Sequence, residues 1–192
     1  MQLETWLSTY INHQHRALDS IDLSQVGEVI KLVRDVHENK GRIFVCGNGG
    51  NAANASHFAT DLGKNGSQGV DSPFRVLSVN DNTAWVTAIG NDYAFEDIFI
   101  RQLESYCGKG DLLITSSVSG NSPNLLKAVL WAKSQGTTTV ALVGAKRGNL
   151  ATTADHAIVI NDEHYGRVED CQMLILHMLC YAFVERITSL TR

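Results

Sequence analysis

The chain contains no run of lysine or arginine, and its formal net charge is −4. Direct nucleic-acid binding needs a concentrated basic footprint, so none is expected. Its four cysteines, Cys46, Cys107, Cys171 and Cys180, show no CxxC or zinc-ribbon spacing. Three sit in apolar runs, as reduced core residues in a reducing compartment do. No apolar signal core follows the first residues, MQLETWLSTYINHQHR, and a cytoplasmic location is expected. The longest apolar stretch, Met173 to Val184, is interrupted by His177 and is too short to span a bilayer. There is no internal repeat, low-complexity tract or long linker, and only two prolines occur. One domain over 1–192, with a helical segment over 1–40, accounts for the length.

What is present alternates. Val26, Val29, Ile30 and Val33 recur at helical spacing, with charged residues on the other faces. From Arg42 onward, short β-branched runs are separated by Gly- or Ser-rich turns and helical segments. The runs are RIFVC (42–46), RVLSV (75–79), DLLIT (111–115), TTVALV (138–143) and HAIVI (156–160). Such runs read as strands buried on both faces, joined by right-handed βαβ crossovers. The expected fold is α/β: a five-stranded parallel sheet with helices on both faces, closing in a long helix over about 167–187.

Ligands of open parallel sheets bind at the carboxyl ends of the strands. Two strand-to-helix turns have suitable chemistry. Gly47-Asn48-Gly49-Gly50-Asn51 follows the first strand, and its glycines and the helix start behind it favour an anion. It matches neither GxxxxGK[ST] nor GxGxxG, and a tight packing turn explains it equally well. Ser116-Ser117-Val118-Ser119-Gly120-Asn121-Ser122 follows the third strand and precedes Pro123. One serine there is accounted for as a helix cap, but Ser117, Ser119 and Ser122 together point to phosphate oxygens.

Cys171 to Val184 is apolar or aromatic except for Gln172 and His177, so this helix faces a core or a subunit interface. A histidine there needs partners for its ring nitrogens. His57 and Asp61 stand four residues apart on the helix after the glycine loop, sharing one face. That spacing suits two metal ligands, or a base and its orienting partner. Asn91-Asp92 sits at a break before FEDIFIRQLESYC, where a cap is the plain alternative. Glu169 lies in the first turn of the last helix, favourable to the helix dipole in any case. Eight residues, about 12 Å along a regular helix, separate it from His177.

GNGGNAANASHFATDL, TAIGNDYAFEDIF, SVSGNSPNLLKA and GRVEDCQMLILHMLC together resemble the phosphoheptose isomerases of the sugar-isomerase (SIS) fold, over nearly the whole chain. The resemblance implies a three-layer SIS sandwich with long N- and C-terminal helices, assembled as a homotetramer with active sites between subunits. It implies one zinc per subunit and conversion of sedoheptulose 7-phosphate to D-glycero-D-manno-heptose 7-phosphate, for surface polysaccharide. Carried across, Ser117, Ser119 and Ser122 fall on phosphate-binding serines, with Val118 between them. Asn48, Gly49, Gly50 and Asn51 fall on the substrate loop and Asp92 on a substrate-binding aspartate. His57, Asp61, Glu169 and His177 form the implied metal set, with His177, Asp61 and Glu169 as the acid/base candidates.

The chain departs from that family at four places. Asn51 stands where GNGGS is usual, Asp61 where Glu is usual, and Glu169 where Gln is usual. Asn65, beside Lys64, aligns with a basic substrate-binding residue. The site is thereby more anionic, which points to altered tuning or another ketose phosphate. A non-catalytic SIS adaptor, like those associated with the bacterial replication initiator, is the competing reading. Such adaptors lack the last histidine, and His177 with the His57–Asp61 pair favours the enzyme.

Overall fold

The computed structural model describes residues 1–187; residues 188–192, the end of the single domain expected over 1–192, lie outside the described residues. Five strands form one parallel sheet: β1 (Ile43–Gly47), β2 (Val76–Ser78), β3 (Leu112–Ser117), β4 (Thr138–Val143) and β5 (His156–Val159). Each lies within two residues of the run that announced it.

The strands are ordered β2-β1-β3-β4-β5. The chain moves outward from β1 to β2, then returns past β1 to β3. The loops after β1 and β3 therefore diverge, opening a crevice at their carboxyl ends.

Alternation along the strands divides the core. Ile43, Val45, Leu112, Ile114, Val140 and Leu142 face one layer, formed by α1 (Leu3–Asp19), α2 (Leu23–Glu38), α3 (Gly50–Thr60) and α8 (Tyr165–Val184). Phe44, Cys46, Leu113, Ala141 and Val143 face the other, formed by α4 (Thr83–Asp92), α5 (Ile100–Tyr106), α6 (Pro123–Ser134) and α7 (Leu150–Thr153). Both faces of the sheet are covered, which is why its strands read as continuous apolar runs rather than alternating ones. This is the three-layer sandwich.

Two features set the height of α8. Arg167 donates through Nε and Nη2 to both oxygens of Asp162, at 2.6 and 2.9 Å, and holds the Asp162 carboxyl below its usual range. The fully buried Gln172 donates from Nε2 to the β4 carbonyl of Leu142 at 2.8 Å. An amide so deep in an apolar layer is stabilised by that bond, and it locks the helix register against the sheet.

The four cysteines are free thiols. Burial raises the thiols of Cys171 and Cys180 to about 11, so both remain protonated packing groups.

Candidate active site

The crevice between the β1 and β3 loops holds a cavity of about 300 Å³. Of the expected phosphate and substrate residues, Asn48, Gly49, Asn51, Ser117, Val118, Ser119 and Ser122 line it. Glu169 lines it from α8.

The serine turn is organised around Ser117. Its Oγ lies 3.5 Å from Ser119 Oγ and 3.3 Å from Ser122 Oγ, and it accepts from Gly120 N–H at 3.1 Å. Ser122 is the N-cap of α6, yet its side chain makes no capping bond. The plain explanation for that serine therefore does not hold, and its hydroxyl is available to a ligand. Gly120 has φ +66°, and a methyl group there would stand 2.1 Å from the Arg147 carbonyl oxygen. The turn is clamped directly against the backbone of the following loop.

In the glycine loop, Asn48 and Asn124 exchange a reciprocal pair of amide bonds, each 2.9 Å. This fixes the Asn48 side chain. Asn51 and Ser116, both buried, leave Asn51 Oδ1 and Ser116 Oγ without a hydrogen-bond partner, although both residues line the cavity. Buried polar atoms are rarely left unpaired in a folded protein. These two call for a ligand hydroxyl or water.

A second cluster of candidate residues joins the end of α3 and the π-turn after it to α8. His57 Nε2 is 3.2 Å from Asp61 Oδ2, and His177 Nε2 is 3.6 Å from the same oxygen. The imidazoles meet edge to face, with centroids 5.1 Å apart. One ligand atom from each of the three residues falls within 4.8 Å of the others. Two histidines and one carboxylate make a donor set suited to zinc or a similar divalent ion. At Asp61 the helix loosens into a π-turn, Asp61–Asn65, closed by Gly66 N–H bonding to the Asp61 carbonyl at 3.0 Å. Such turns recur at functional sites. Asn65 Nδ2 donates to Asp61 Oδ1 at 3.2 Å.

Glu169 departs from the implied four-ligand set. The three-residue group does not include it. Its carboxylate lies against the glycine loop, and a methyl group on Gly50 would stand 2.4 Å from Oε2. Gly50 therefore makes room for Glu169 rather than lining the cavity itself. Burial, with Asp170 adding to it, raises the Glu169 carboxyl above its usual range.

Asp92 also falls elsewhere. It is the last residue of α4, exposed, and accepts from Asn91 Nδ2 at 2.9 Å. It does not line this chain's cavity. The helix-break reading placed Asn91-Asp92 before a helix, whereas the pair ends one. The segment beyond it forms a 3₁₀ turn, Phe95–Asp97, and then α5.

Sequence reasoning passed over Tyr165, took Ser116 only as part of the serine turn, and noted Asn65 only as aligning with a basic substrate-binding residue, not as a partner of Asp61. Tyr165 lines the cavity one turn before Glu169. Asn65 follows Asp61 at the same four-residue spacing that marked His57, so that signal was present.

A larger cavity, about 520 Å³, opens at the other end of β1 and β2 beside Arg42, Arg75 and Tyr106. It contains none of these residues, and its two guanidinium groups donate to the backbone carbonyls of Tyr106 and Lys40. The serine turn and Glu169 line the smaller cavity instead.

Residues 9–144 match the SIS domain family. The phosphoheptose isomerase of Sulfurimonas denitrificans is 40% identical over 159 residues, covering 82% of this chain and 80% of that protein. A probable phosphoheptose isomerase of Thermoplasma volcanium is 36% identical, covering 91% and 88%. The solved structure of phosphoheptose isomerase from Neisseria gonorrhoeae superposes with a TM-score of 0.87 at 28% identity, covering 95% of this chain and 98% of that one. With its sheet order, its serine-lined crevice and these relatives, the chain belongs to the phosphoheptose isomerase family of SIS-domain proteins.

Proposed function

We propose that the chain is a phosphosugar isomerase that interconverts sedoheptulose 7-phosphate and D-glycero-D-manno-heptose 7-phosphate through an ene-diol. The observation that carries this reading is a three-serine cradle at the β3 end that shares its cavity with Glu169 of α8, the helix that also carries His177 to His57 and Asp61. Ser117, Ser119 and Ser122 bind the phosphate with neutral donors, assisted by the start of α6. That explains how an acidic chain holds an anion. Asn51 and Ser116 take sugar hydroxyls.

His57, Asp61 and His177 would hold one divalent metal, zinc by family likeness, which supplies Lewis acidity toward the substrate carbonyl. A carboxylate, Asp61 or Glu169, removes the proton from the carbon beside the carbonyl. His177 moves protons on oxygen, for which imidazole is suited near neutral pH.

The test is incubation with C5–C7 ketose phosphates in deuterium oxide, followed by NMR. Interconversion of the C7 pair, with deuterium entering at the carbon beside the carbonyl and inorganic phosphate competing, is expected. No exchange with any member of the panel would instead favour a phosphosugar-binding adaptor.

The same reading includes a homo-oligomer, a tetramer by family likeness. Leu3, Leu7 and Ile11 form an exposed apolar stripe along α1, being 64%, 47% and 54% accessible, at spacings that share one helix face. Leu174 and Tyr181 of α8 are also exposed. Contiguous apolar surface of this kind marks protein contacts. Leu7→Glu with Ile11→Glu is expected to give a smaller species by light scattering. An unchanged mass would move the interface elsewhere.

A further inference from the structure

Two carboxylates serve the site, and their surroundings differ. Both oxygens of Asp61 are engaged: Oδ1 accepts from Asn65 Nδ2 at 3.2 Å, and Oδ2 faces His57 and His177 at 3.2 and 3.6 Å. Asp61 is also buried and held at the start of the π-turn. Neither oxygen of Glu169 has a hydrogen-bond or ion-pair partner among the described residues. Its carboxylate forms part of the wall of the cavity that holds the serine cradle, in space left by the absence of a side chain at Gly50.

From this geometry we infer a division of labour, resting on the isomerase reading above: Glu169 is the base that takes the carbon-bound proton, Asp61 holds the metal, and Asn65 is a positioning residue that fixes Asp61 for that task. A carboxylate engaged on both oxygens is a poor proton acceptor toward carbon. One that is unpartnered beside the substrate pocket meets the first requirement of a base, which is reach.

The proton balance closes. The C–H bond beside the carbonyl breaks, its proton passes to Glu169, and the electron pair forms the carbon–carbon double bond of the ene-diol. The carbonyl π electrons move onto oxygen, which takes a proton from His177. Return of the Glu169 proton to the neighbouring carbon, with a hydroxyl proton going back to His177, completes the aldose–ketose exchange. No oxidant or further reactant is required.

Asn65 would act as outer-sphere partners of metal ligands do: its amide holds Asp61 Oδ1 at 3.2 Å, while Oδ2 faces the two imidazoles. Three variants separate the roles. Glu169→Gln keeps the shape and removes the base. Deuterium exchange and turnover are expected to fall about 10²–10⁴-fold, with zinc affinity, measured by chelator competition on the metal-stripped protein, within about threefold of wild type. Asn65→Ala is expected to weaken zinc about 10–100-fold, with the melting midpoint of the metal-free protein unchanged. Asp61→Asn is expected to lose zinc more severely.

A Glu169→Gln protein that exchanges at the wild-type rate would return the base role to Asp61. One that loses zinc as Asp61→Asn does would make Glu169 a ligand. Undiminished zinc affinity in Asn65→Ala would remove Asn65 from the scheme. A wild-type protein that turns over no sugar phosphate would bring down the isomerase reading itself, whereas an active wild type with a fast Glu169→Gln variant would bring down only this division of labour.

Discussion

His177→Ala is expected to lower isomerase turnover by about 10²–10⁴-fold while leaving phosphosugar binding measurable. The side chain is 37% accessible, and its neighbours are Asp61 Oδ2 at 3.6 Å and the rings of His57 and Tyr181 at 5.1 and 6.0 Å. Little core packing is lost on truncation, so the effect falls on chemistry rather than folding. Two functions leave together: a proton carrier, and one of the three groups clustered on α3 and α8. The phosphate cradle is built from β3 and α6 and does not depend on this residue. Calorimetry with inorganic phosphate, run beside an NMR turnover assay, separates binding from catalysis. Full turnover by the variant would exclude the histidine from the mechanism.

Gly120→Ala is expected to destabilise the protein by roughly 3 kcal/mol, from a left-handed backbone angle together with a steric clash. The added methyl group would meet the Arg147 carbonyl oxygen at 2.1 Å, the Arg147 carbonyl carbon at 2.7 Å and Gly148 Cα at 3.0 Å. All three are backbone atoms, so no side-chain rotation relieves them. For a domain of this size the loss corresponds to a fall in melting temperature of about 6–12 °C by calorimetry. The same change pulls on the N–H that bonds to Ser117 Oγ, so phosphate affinity is expected to fall as well. A variant with wild-type melting would show that the two loops separate freely.

The sheet was largely legible in the sequence because parallel strands covered on both faces are uninterrupted β-branched runs, and RIFVC through HAIVI stand out between polar turns. The order β2-β1-β3-β4-β5 was not, since crossover direction leaves no mark in a single chain. Ser117, Ser119 and Ser122 were readable as a group because three hydroxyls exceed what one cap requires. The proximity of His57 and His177 is a tertiary fact: 120 residues of chain separate them, and only the packing of α3 on α8 brings their rings within 5.1 Å. Glu169 shows the limit most clearly. Its position near a helix start is compatible with dipole stabilisation, metal ligation or proton transfer, and its space beside Gly50 appears only in three dimensions. Asn91-Asp92 reads as a break before a helix but ends α4 instead, because polar residues at a break do not by themselves say on which side the helix lies.

The amide of Gln172, anchored to the Leu142 carbonyl, lies on the same continuous rod as Glu169 and His177. A single-residue insertion between 169 and 177 would swing the imidazole by about 100° and carry it about 1.5 Å along the axis, parting it from the carboxylate that stays behind. A change of length here would therefore separate the imidazole from the carboxylate even with every residue identity kept.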